Sequence, residues 1–240
     1  MDITKFTKPA RRILKLKKCG AVILAAGSAS RMGDIDKVMA ELDGKPMIAR
    51  TVRAFQECDA VSEIVIVTRE DLILPITGLC KACPKVTAVV AGGKSRQESV
   101  GKGLNALSKD VKLAAVHDGA RPLITWQLID WVIRAANTYG AAAPAIPVKD
   151  IIKTVEGGVV VNTPERSKLR AVQTPQVFDI DLLKGALLKA WQDGAEVTDD
   201  CSAVERLGMK VKIVEGDEKN IKVTTPMDLR IARMLLEGQK

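Results

Sequence analysis

The chain has 240 residues, 47% of them apolar but only 3% aromatic, which suits one large domain with a core of Val, Ile, Leu and Ala rather than rings. Its net charge of +8 suggests a polyanionic partner until it is mapped: the first 18 residues hold seven Lys or Arg against one acid, Asp2, and so account for +6. The basicity belongs to an N-terminal extension, 1–18, and no apolar stretch approaches the roughly 20 residues of a membrane span.

That extension reads as a solvated tail, with a nucleic-acid or anionic-surface contact as the alternative. It has no serine and no continuous apolar centre, which argues against a targeting peptide, and a cytoplasmic protein is expected. The first apolar run, Ala21–Leu24, has the composition of a buried strand and empties into a loop of small residues, Ala25-Ala-Gly-Ser-Ala-Ser-Arg-Met-Gly33. Small side chains let backbone N–H groups approach an anion, and Arg31 and Lys37 add fixed positive charge, so the stretch reads as a triphosphate cradle. It matches neither common nucleotide fingerprint, having no G-x-G-x-x-G and no closing Gly-Lys-Ser/Thr.

Further strands are expected at Ile64–Thr68, Val86–Val90, Leu113–Val116 and Ala141–Ile146, with amphipathic helices near Pro46–Glu57, Asp71–Lys81, Arg96–Leu107 and Thr125–Tyr139. Strands alternating with helices imply βαβ units and an α/β fold with a mostly parallel central sheet covered on both faces. Ligands of such sheets gather beyond the carboxyl ends of the strands, and each motif below falls at such an end.

Cys80-Lys-Ala-Cys83 is a lone C-x-x-C among five cysteines, an odd count, and is read as two reduced thiols on a helix. The one histidine, His117, excludes a His-rich metal site and any histidine pair. Gly93-Lys94-Ser95 mimics the end of a phosphate-binding P-loop, but Ala88 stands where the leading glycine belongs. The alternative is a turn at Gly92-Gly93 that delivers Arg96 and Ser99 to a base edge or ribose, with Ser99 otherwise a capping residue.

In His117-Asp-Gly-Ala-Arg-Pro122, Asp118 and Arg121 can bind hydroxyls and phosphate or simply pair with each other. From Val148 the βα rhythm breaks. Residues 149–155 and Val159–Asn162 flank Glu156-Gly-Gly158, the signature of a hairpin. The 148–170 segment is therefore expected to project as a β-arm between two parts of one α/β domain, 19–147 and 171–240. A two-stranded arm is marginal alone, so packing against a second subunit is expected. Helices at Asp181–Asp193 and Asp199–Leu207 and a strand at Lys210–Val214 follow. Asp199 and Asp200 suit a metal pair or, more commonly, a helix N-cap. Lys222 sits in an apolar–polar alternation, Asn220–Thr224, that can aim it back at the cleft. Thr225-Pro-Met-Asp228 carries an N-cap, a first-turn proline and an acid for a last helix.

In order and spacing the motifs A-A-G-x-x-x-R-M-G (Ala25–Gly33), Lys37, G-G-x-x-R-x-x-S (Gly92–Ser99), H-D-G-A-R-P (His117–Pro122), T-P-Q (Thr174–Gln176), T-D-D (Thr198–Asp200) and N-I-K-V-T (Asn220–Thr224) resemble the 2-C-methyl-D-erythritol 4-phosphate cytidylyltransferases. The likeness runs from about Cys19 to Leu236. It implies a Rossmann-like nucleotidyltransferase fold and transfer of CMP from CTP to the polyol phosphate, with Mg²⁺ carried mainly on the CTP phosphates, and no residue is singled out as a metal ligand. It places Arg31, Lys37 and Lys222 as catalytic cations. Ala25, Ala26, Gly27, Gly92 and Ser99 fall on the cytidine, and Asp118, Arg121, Arg166 and Thr198 around the polyol phosphate. It also implies a homodimer through the arm, with Arg166 entering the partner's site. Ala29, Val38 and Lys94 depart from the family pattern. A ribitol-5-phosphate cytidylyltransferase is the nearest alternative, disfavoured by Gly119-Ala120, and a nucleotide- or RNA-binding protein using the basic tail is the non-enzymatic one.

Overall fold

The computed structural model describes residues 15–27 and 38–238; Arg31 and Lys37 lie outside them. One sheet of eight strands organises the chain. Its first half is built from β1 (Cys19–Ala25), the two-residue ribbon β2 (Glu41–Leu42) and β3 (Lys45–Pro46), α1 (Met47–Glu57), β4 (Val61–Thr68), α2 (Ile73–Leu79), β5 (Val86–Ala91), α3 (Arg96–Ala106), β6 (Leu113–Asp118), α4 (Trp126–Tyr139) and β7 (Ala141–Pro147). The expected strands are all present. The helix expected over Asp71–Lys81 is shorter: a 3-10 turn at Glu70–Leu72 precedes α2, and Cys80 and Cys83 follow the helix rather than riding on it. All five thiols are free.

The second half adds the hairpin β8 (Thr154–Glu156) and β9 (Val159–Asn162), then β10 (Arg170–Val172), β11 (Gln176–Asp179), α5 (Ile180–Gln192), α6 (Asp200–Glu205), β12 (Lys212–Glu215) and α7 (Pro226–Glu237). The β8–β9 pair forms its own two-stranded sheet with every residue exposed. Its turn places Gly157 at φ 55° and Gly158 at φ 83°, the left-handed pair that a two-residue hairpin turn requires. In α7 the Thr225 hydroxyl accepts from the Asp228 N–H in a reciprocal capping box, with Pro226 in the first turn.

Both faces of the sheet are buried, and the two-residue period of the strands divides the core. Ala21, Ile23, Ile64 and Ile66 pack with α1, α2 and α4, while Val22, Val65 and Val67 pack with α3, α5 and α6. The sheet order is β7-β11-β6-β1-β4-β5, with β10 running on from β11 along the same edge of β7 and β12 along its other edge. Neighbours β5, β4, β1 and β6 are all parallel. Beyond β6 the sheet is mixed, because β11 inserts antiparallel between β6 and β7. The chain runs outward from β1 to β4 and β5, then returns to place β6 on the opposite flank of β1. The β1/β6 boundary is therefore the topological switch point, where such sheets open a ligand crevice.

Candidate active site

A cavity of about 500 Å³ opens at that boundary. Its floor is the end of β1, Leu24 to Gly27; one wall is Gly93–Arg96 and Ser99 at the start of α3; the other is Asp118 and Ala120 after β6, with Lys222 and Thr224 across from them. The walls are drawn tightly together. Gly119 donates its N–H to the Leu24 carbonyl at 2.8 Å, and a Cβ on Gly92 would lie 2.6 Å from Ala26 Cβ. Gly92 thus lets the β5 end close on the β1 end; the next residue, Gly93, is the one that lines the cavity.

The Gly92-Gly93 turn is not a P-loop. Its N–H groups are already engaged: Gly93 N–H reaches Ser99 Oγ at 3.0 Å and Lys94 N–H reaches the Glu98 carboxylate at 2.8 Å. Ser95, not Ser99, is the N-cap of α3, accepting from the Glu98 N–H. Ser99 is buried and holds the turn from inside while its position still lines the cavity. Arg96 reaches across to the buried carboxylate of Asp200 at 2.6 Å. The adjacent Asp199 is the N-cap of α6 in a capping box with Ser202, so neither aspartate is set as half of a metal pair. Among the described residues no group of three His, Cys, Asp or Glu could hold a metal ion.

Asp118 does not pair with Arg121, its neighbour in the motif. Its partner is Lys222, Nζ to Oδ2 2.7 Å, with the Asp118 side chain only 13% exposed. Burial alone would raise the Asp118 pKa; the Lys222 ammonium, with the Arg96 charge nearby, outweighs this and holds it below the ordinary carboxylate value. Arg121 is buried behind the wall, where it donates to the Asn220 carbonyl at 2.6 Å, and does not line the cavity. His117 is fully buried and its pKa is pushed down to about 3, chiefly by desolvation. It is a neutral structural imidazole, Nδ1 3.0 Å from Thr174 Oγ1 and Nε2 3.4 Å from the Arg121 carbonyl.

The fold thus brings together Ala25, Ala26, Gly27, Ser99, Asp118 and Lys222. Gly92 lies one residue behind the lining, Thr198 is exposed ahead of α6, and Arg166 is exposed on a 3-10 turn of the arm, donating to the Lys149 carbonyl. Sequence reasoning missed the support of Lys222, which comes from Gln173, Thr174 and Asn220; the T-P-Q and N-I-K-V-T motifs were the available signal. The described lining carries three cations, Lys94, Arg96 and Lys222, against the carboxylate of Asp118 and that of Asp200, which meets Arg96 from behind the lining, a net surplus of one positive charge. That surplus at a switch point suits a polyphosphate ligand.

A mixed α/β sheet with a cationic, small-residue crevice at its switch point places the chain among the nucleotide-binding α/β proteins. The sequence model of 2-C-methyl-D-erythritol 4-phosphate cytidylyltransferase matches residues 19–238. The chain belongs to that family. Proteins of this name from Symbiobacterium thermophilum and Caldanaerobacter subterraneus are 47% and 44% identical to it, over 91% and 90% of this chain and 92% and 97% of theirs. The crystal structure of 4-diphosphocytidyl-2C-methyl-D-erythritol synthase from Anaerococcus prevotii matches with TM-score 0.84 at 30% identity, covering 93% of this chain and all of that one (100%). The Thermus thermophilus cytidylyltransferase structure matches with TM-score 0.75 at 32% identity, over 90% and 98% of the two chains.

Proposed function

We propose that the chain transfers CMP from CTP to 2-C-methyl-D-erythritol 4-phosphate, giving 4-diphosphocytidyl-2-C-methyl-D-erythritol and pyrophosphate. The observation that carries this reading, beside family membership, is the cationic crevice at the β1/β6 switch point with Lys222 held over Asp118. An oxygen of the acceptor phosphate attacks the α-phosphorus, the bond to the bridging oxygen breaks, and the electron pair leaves with pyrophosphate. The attacking phosphate is ionised at neutral pH, so the site needs no strong base. His117, buried and neutral, offers none.

What the chain must supply is orientation and positive charge against two anions forced together. Lys222 does so at the reacting phosphates, joined on the family pattern by Arg31 and Lys37. The strand end Ala25–Gly27 and Ser99 take the cytidine, with Gly92 allowing the close approach. Asp118 accepts from polyol hydroxyls beside Lys222. Arg121 acts from behind the wall, and Thr198 flanks the acceptor. Asp118 is the only carboxylate among the described lining residues, which fits Mg²⁺ held mainly by the CTP phosphates. When bound, that ion neutralises triphosphate charge. The exposed arm supports a homodimer in which Arg166 completes the partner's cavity.

Incubating the protein with CTP and Mg²⁺ plus either 2-C-methyl-D-erythritol 4-phosphate or ribitol 5-phosphate, and measuring pyrophosphate, tests the proposal. Release with the first alone is expected. Release with ribitol 5-phosphate alone, or with neither, overturns it.

A further inference from the structure

Lys222 lies in a stretch with no helix or strand of its own, yet its ammonium is held 2.7 Å from Asp118. Something other than secondary structure must fix it. Two residues upstream, Asn220 is fully buried. Its side-chain amide donates to the Thr174 carbonyl at 3.0 Å, and its own carbonyl accepts from the Arg121 guanidinium at 2.6 Å. Thr174 in turn accepts the Asp118 N–H at 3.1 Å on its hydroxyl, which faces His117 Nδ1 at 3.0 Å. One residue past Lys222, Val223 N–H closes onto the Ala120 carbonyl at 2.9 Å. The two charges that meet in the cavity therefore hang from the same buried frame.

From this we propose that Asn220 is a positioning residue for the transfer reaction: with Thr174 as its anchor, it sets the position of Lys222 relative to Asp118. This role for Asn220 rests on the cytidylyl transfer proposed above. Asn220 touches no reactant; it acts through the lysine. A buried amide of this kind has a defined consequence when removed, because the Thr174 carbonyl loses its donor and the lysine segment loses its tether while Lys222 itself remains.

The test is a double-mutant cycle on the full chain, reading pyrophosphate release at saturating substrates for wild type, Asn220→Ala, Lys222→Ala and the double variant. Asn220→Ala is expected to lower kcat about 10- to 100-fold, with the KM for CTP moving less than about 3-fold, as for loss of an interaction made in the transition state. In the Lys222→Ala background the same change should cost less than about 2-fold, because the group it positions is gone. Equal losses in both backgrounds, or a wild-type kcat for Asn220→Ala, overturn the proposal. Should Asn220→Ala fail to fold, Asn220→Ser takes its place in the cycle, too short to reach the Thr174 carbonyl and with the same outcomes expected. An inactive wild type would instead defeat the functional reading.

Discussion

At the scale of single residues, the site depends on charges whose states are set by burial. Lys222 faces a carboxylate that is 13% exposed, while its own side chain is 44% exposed. Replacing it with Ala removes both the cation proposed to meet the reacting phosphates and the partner of Asp118. Turnover is expected to fall about 10²- to 10³-fold, the scale for a preorganised electrostatic contact, and steady-state pyrophosphate release measures it. Near wild-type turnover would take Lys222 out of the chemistry. His117 makes a different prediction. Its folded pKa of about 3 lies below the unfolded value of about 6.5, so between those pH values the unfolded chain binds a proton that the native chain refuses. Stability from this group is complete above pH 6.5 and declines as pH falls, by up to about 1.4 kcal/mol per pH unit. Urea midpoints for wild type and His117→Asn should converge as the pH is lowered from 7 to 4. Parallel curves would show that His117 does not carry the acid sensitivity.

At the scale of elements, α3 shows how packing delivers the site. It carries the Ser95–Ser99 wall, and it lies close to the sheet because Gly103 faces it. A Cβ there would overlap Val22 Cγ1 and come within 2.9 Å of Val67 Cγ2, whereas a Cβ on Gly101, in the same helix, meets nothing within 4 Å. Gly103→Ala should therefore push α3 off β1 and β4, cost about 1–3 kcal/mol and raise the KM for CTP. Gly101→Ala should stabilise by about 0.5–1 kcal/mol and leave KM alone. Thermal denaturation and CTP titration of the pair decide it; similar effects at both positions would mean helix propensity, not contact, sets the outcome. Elements of this kind were legible in the sequence where local signals sufficed. The apolar runs of β1, β4, β5, β6 and β7, the Gly157-Gly158 turn and the Thr225-Pro226 start of α7 declare themselves. The short strands β10 and β11 do not, because three or four residues carry little period and their place beside β6 and β7 is set by distant partners. The helix expected over Asp71–Lys81 is shorter, since a 3-10 turn takes its start and Gly78, next to its last residue, weakens its end.

At the scale of the whole molecule, the sequence located the crevice because its motifs follow strand ends, and strand ends of one parallel sheet share a rim. It could not show which charges pair. Asp118 and Arg121 are three residues apart, yet the aspartate meets Lys222 and the arginine turns to Asn220. Nor is Arg166 among the residues that line the cavity: it is exposed on the arm, whose Val155, Val159, Val160 and Val161 are each more than half exposed. Such an apolar ribbon is expected to be covered, and in the homodimer proposed above the copy that covers it carries its own Arg166 to the neighbouring crevice. This arrangement has a consequence that a single-chain site lacks. Arg166→Ala and Lys222→Ala should each be nearly inactive alone. Mixed at equal amounts under conditions that let subunits exchange, half the dimers become heterodimers, each with one site holding both Lys222 and the partner's arginine. Activity should return to about a quarter of the wild-type level, and the recovered fraction should vanish when exchange is blocked. If Arg166 instead serves the crevice of its own chain, neither site of a heterodimer is complete, and mixing restores nothing.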